Sequence, residues 1–109
     1  MASGLLGKAI PALNTWNNVY TVPTGTLSSI SINACNQSTT VPATIDMVIS
    51  TSSTLGGITT SEYLMAATAL PVSSVIERSG LVTDDVKGKY VWVRASTATV
   101  SFQVYGYEE

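Results

Sequence analysis

Asn17-Asn-Val-Tyr-Thr-Val-Pro-Thr-Gly-Thr-Leu-Ser-Ser-Ile-Ser-Ile-Asn-Ala-Cys-Asn36 reads as a strand, a tight turn and a second strand. Val19-Tyr20-Thr21-Val22 is β-branched and aromatic, which suits a pleated sheet. Pro23 presets φ, and Gly25 can take the positive φ that closes a turn. Beyond it Leu27, Ile30, Ile32 and Ala34 lie mostly on one face, with Ser29, Ser31 and Asn33 on the other. That alternation is the period of a half-buried strand. Residues 18–22 and 26–35 are therefore expected to form an opening hairpin.

The same style repeats downstream. Pro42 opens a strand in which Ile45, Met47 and Ile49 alternate with Asp46, Val48 and Ser50. Residues 50–61 form an exposed loop that turns at Gly56-Gly57. Glu62 to Leu70 has helix-favouring composition. A strand entered through Tyr63 is preferred, because no other segment reads as a helix and elements tend to agree. Val75, Ile76, Leu81 and Val82 flank Glu77-Arg78-Ser79-Gly80, and Thr83-Asp84-Asp85 is a turn. Tyr90–Arg94 and Val100–Tyr107 close the chain as strands, with Val100, Phe102 and Val104 facing one way.

This makes about seven to eight short strands, the signature of an all-β antiparallel sandwich or flattened barrel. Ile30, Ile32, Ile45, Met47, Val91, Val93, Phe102 and Val104 are expected in the core. Trp92 then points away from its neighbours, into a second buried face or into an interface. Residues 1–17 read as an N-terminal arm with one short edge strand, broken by Gly7 and Pro11 and followed by a linker holding Trp16. The arm packs on its own core or reaches a neighbour. Residues 18–109 form the sandwich domain.

Composition narrows function by exclusion. The chain has 109 residues, 45% hydrophobic and only 11% charged, with net charge −2. An average globular chain carries about 25% charged residues, so much of this surface is expected to meet other protein. Lys8, Arg78, Lys87, Lys89 and Arg94 are scattered, which argues against nucleic-acid binding. No apolar run approaches the ~20 residues of a membrane span. The N-terminus does not read as a signal peptide. There is no His, and Cys35 is the single cysteine. The usual general base, the Ser-His-Asp and Cys-His arrangements, thiolate zinc sites and an internal disulfide are therefore missing. Cys35 is expected to be an inert, partly buried thiol. Asp84, Asp85 and Glu77 do not have the spacing of a calcium loop. No enzyme, cofactor or metal is expected. Glu77 and Arg78 are expected to be a surface pair, and Glu108-Glu109 a solvated tail.

Several segments resemble one family. Val19–Gly25 resembles the "LYTVPAG" opening of small virion proteins of tailed bacteriophages, and Ser29–Asn36 the strand and Asn-rich turn that follow it. Glu62-Tyr63 and Ile76–Val82 are similar to that family's "EYI…LERTGLVL" segment. Val91–Phe102 and the closing Val104–Glu109 complete the resemblance, over residues 18–109. It implies a β-sandwich structural protein of a phage particle, a multicopy capsid decoration (cement) or tail-surface protein. Such a protein would be assembled in the host cytoplasm. Its partners would be copies of itself, with a homotrimer the first expectation, and major capsid or tail proteins. Trp16, Arg78, Trp92, Tyr105 and Tyr107 are the interface candidates. The competing expectation is a receptor- or glycan-binding module of a tail or fibre, using aromatics such as Tyr63, Trp92, Tyr105 and Tyr107.

Overall fold

Alternation in the sequence becomes strand pairing throughout the computed structural model, which describes residues 3–109. The strands are β1 (Ser3–Ala9), β2 (Asn17–Thr21), β3 (Leu27–Asn36), β4 (Ala43–Ser50), β5 (Tyr63–Leu70), β6 (Val75–Asp84), β7 (Tyr90–Ala95) and β8 (Val100–Glu108). Two single 3-10 turns, Leu55–Gly57 and Thr60–Glu62, interrupt the β4–β5 connection, and no described residue is in an α-helix. Two four-stranded antiparallel sheets result, ordered β1-β8-β3-β6 and β2-β7-β4-β5. They stack as an open sandwich rather than a closed barrel.

The sandwich follows from where the apolar positions fall. In β3, Ser28, Ile30, Ile32, Ala34 and Asn36 are buried, and the intervening residues are only half-buried. All eight expected core residues are at most 2% exposed. Val22, Leu70, Ala95 and Val100 join them. Each fully buried Val, Ile, Met or Phe side chain stabilises the fold by about 1.5–3 kcal/mol. Segment 62–70 is a strand beginning at Tyr63, so its helical composition yields to pairing with β4.

Pairing departs from expectation at the first turn. β2 and β3 are not a hairpin: β2 pairs with β7, and β3 pairs with β8 and β6 in the other sheet. The turn is present, with Gly25 at φ 77° and the Thr26 amide donating to the Pro23 carbonyl. It carries the chain across the sandwich instead of back along the same sheet. Alternation fixes which face of a strand is buried, not which strand lies beside it.

Three further expectations are corrected. Thr83 and Asp84 still belong to β6, and the turn follows at residues 85–87. Asp84 Oδ1 accepts from the Val86 and Lys87 amides, which holds that carboxyl below its ordinary range. Glu77 and Arg78 form no ion pair, since Arg94–Asp46 is the only one among the described residues. Glu77 lies opposite Asn33 and Arg78 opposite Ile32. Adjacent residues on a strand point to opposite faces. Glu108 is not a solvated tail: it is 9% exposed, and Glu109 exchanges both backbone hydrogen bonds with Leu27.

The N-terminal edge strand is β1, which pairs with β8 along the rim of the first sheet. Leu6 and Ala9 pack on the core. At Gly7 a Cβ would lie 2.1 Å from the Val19 carbonyl oxygen. Only glycine permits β1 to approach β2 that closely.

Candidate functional site: the two outer faces

The first outer face is built by the β1-β8-β3-β6 sheet. Val100, Phe102 and Val104 point inward, so period two sends Tyr105 and Tyr107 outward. Register aligns Leu5 and Ser31 with Tyr105, and Ser3 and Ser29 with Tyr107. Val82 lies across from Ser29. Serines between the tyrosines and Val82 leave an open depression of about 310 Å³, and none of its lining residues is charged. Its floor is backbone-close: a Cβ on Gly106 would fall 1.9 Å from the Ser29 carbonyl oxygen. In its lining Val82 is 63% and Tyr107 48% exposed, and Leu5, paired with Tyr105, is 55% exposed. Cys35 is half-buried on the same face, opposite Ser101.

The second outer face belongs to β2-β7-β4-β5 and is mostly covered. Asp46, Val48 and Ser50 point outward yet are buried, as is Trp92. The cover is the β4–β5 loop. Trp92 Nε1 donates to the Ser52 carbonyl at 3.1 Å, and Ser50 Oγ donates to Glu62 Oε1 at 2.9 Å. Burial works against the Glu62 charge. Hydrogen bonds from the Thr59 amide, the Ser50 hydroxyl and the Thr51 amide outweigh that cost and hold its carboxyl below the ordinary range. Trp92 therefore belongs to a second buried face and not to the exposed surface.

Trp16 reaches this face because the linker is anchored next to β7. The Asn14 amide donates to the Ala95 carbonyl at 2.9 Å, and Thr15 closes a turn onto Ala12. The Arg94 guanidinium lies 4.5 Å from the centre of the Trp16 ring. Tyr63 meets the same ring edge-on, with centroids 6.0 Å apart. Beneath them Arg94 Nε donates to Asp46 Oδ2 at 3.0 Å, and Asp46 Oδ1 accepts from the Ala67 amide at 2.8 Å. Ala67 carries a positive φ of 47°, a strained backbone stabilised there by Asp46.

The interface candidates thus separate. Tyr105 and Tyr107 share one face, Trp16 and Trp92 the opposite one, and Arg78 stands exposed on the edge strand β6. Asp46 and Arg94 escaped the sequence reading as a pair. Each stood at an outward strand position, but their meeting depends on the pairing of β4 with β7.

A third polar group bridges the sheets at one end. The Tyr20 hydroxyl from β2 donates to Glu108 Oε2 on β8 and shares a 2.9 Å hydrogen bond with Ser28 Oγ on β3. Burial and the Glu108 carboxylate push the Tyr20 phenol up to about 12. No group of three or more metal-ligating side chains converges among the described residues. No described helix is long and apolar enough to cross a membrane. No protein family, curated protein or solved structure matches the chain.

Proposed function

We propose that this chain is a non-enzymatic structural protein of a bacteriophage particle. It is a multicopy decoration or tail-surface subunit that associates with its own copies, as a trimer, and with capsid or tail proteins. The observation that carries this reading is the uncharged depression lined by Leu81, Val82, Tyr105 and Tyr107, with Val82 and Tyr107 well exposed. Tyrosines bring large contact area with a polar tip, and depletion of charge is what marks the centre of a protein interface. Symmetric assembly repeats one such face, so several modest contacts act together. The family-like segments of residues 18–109 support the same reading.

Sedimentation of the purified chain tests it, followed by mixing with particles that lack the protein. A trimer that binds particles is expected. A monomer that never binds them overturns the proposal.

A further inference from the structure

We propose that Trp16, Tyr63 and Arg94, on the outer face of the β2-β7-β4-β5 sheet, form a saccharide-binding site. The site does not depend on the virion role. Arg94 anchors the site. Asp46 fixes the guanidinium through Nε, and the guanidinium carbon sits over the Trp16 ring. Arg94 is 34% exposed, and its Nη atoms make no hydrogen bond among the described residues. An arginine held on one side and open on the other presents preorganised donors, because its rotamer freedom is already spent.

The aromatic groups complete the site. Trp16 and Tyr63 are both half-buried, set edge to face, and the Tyr63 hydroxyl has no partner among the described residues. Arg94 occupies one face of Trp16, so a pyranose ring would lay its apolar C–H face across the Trp16–Tyr63 corner and offer hydroxyl oxygens to the arginine Nη donors. Charge narrows the ligand further. Asp46 cancels Arg94, and both of its oxygens are engaged, so the face carries no excess positive charge. That is unsuited to a polyanion such as nucleic acid, which needs several cations. It suits neutral hydroxyls, or the single carboxylate of a uronic acid, which matches one guanidinium edge.

The test is calorimetric titration of the full chain with maltohexaose, chitohexaose and galacturonate, with the indole N–H resonances followed alongside in two-dimensional NMR. The proposal expects a saturable shift of the Trp16 indole, with the covered Trp92 indole unmoved. Binding only by the galacturonate would assign a carboxylate to Arg94. Binding by the neutral sugars would assign hydroxyl oxygens, and either result supports the site. Tyr63→Phe removes one hydroxyl and is expected to weaken binding about 2- to 10-fold, the effect of one lost hydrogen bond. Trp16→Ala is expected to abolish saturable binding. Arg94→Lys keeps the charge over Asp46 but loses the planar fork, and is expected to weaken binding more than Tyr63→Phe does. No shift with any of the three sugars overturns the proposal. So does binding that persists unchanged in folded Trp16→Ala and Tyr63→Phe variants.

Discussion

At the scale of single residues, the Tyr20–Glu108–Ser28 contact is where polar chemistry matters most to the fold. Three strands from two sheets meet at one phenol. Tyr20→Phe leaves the buried Glu108 and Ser28 oxygens without their partner, and such orphaned groups cost about 1–3 kcal/mol. Urea unfolding is expected to show that loss at neutral pH. The same residue sets an alkaline limit. Its folded pKa of about 12 lies above the ordinary phenol value of 10.0, so the folded state holds the proton more tightly. That stabilisation is complete below the unfolded pKa and is lost as pH rises through the folded one. The urea midpoint is therefore expected to fall between about pH 10 and 12 in the native chain, and less steeply in Tyr20→Phe. Equal slopes in the two proteins would contradict the assignment. Glu108 illustrates why this contact was not legible. As the penultimate residue beside another Glu it reads as a solvated tail, and its burial depends on a tyrosine 88 positions away.

At the scale of elements, period two made the strands readable and left their partners open. Ile30, Ile32, Phe102 and Val104 alternate cleanly with polar residues, so their burial followed from the pattern alone. β4 shows the opposite case. Its outward Asp46, Val48 and Ser50 are buried on the face where the β4–β5 loop hydrogen-bonds to Ser50 and Trp92, and no local pattern encodes that cover. The misplaced partner of β2 has the same origin, since β7 lies some 70 residues along the chain. Close approach between β1 and β2 gives a test at this scale. Gly7→Ala places a methyl against the Val19 carbonyl oxygen and is expected to cost about 1–3 kcal/mol by forcing the strands apart. Hydrogen exchange should show faster opening of β1 while β3 and β8 stay protected. Unchanged protection of β1 would mean that the edge yields without strain.

At the scale of the whole molecule, the sandwich offers two chemically different surfaces on opposite sides. One is an uncharged tyrosine depression, and the other a covered face with a single open arginine. The proposed assembly role rests on the first. Tyr107 is 48% exposed and outside the core, so Tyr107→Glu is expected to leave the monomer folded, with a cooperative melt, while dissociating the oligomer. Sedimentation beside a thermal melt separates these two effects. A variant that remains oligomeric would place the interface elsewhere on the sandwich. The most direct test of the proposed role is gold-labelled antibody against this chain on intact particles of the phage proposed to carry it, viewed by electron microscopy. Regular labelling over the head or along the tail is expected. Particles that bind no gold, intact or opened, from lysates that contain the protein would contradict it.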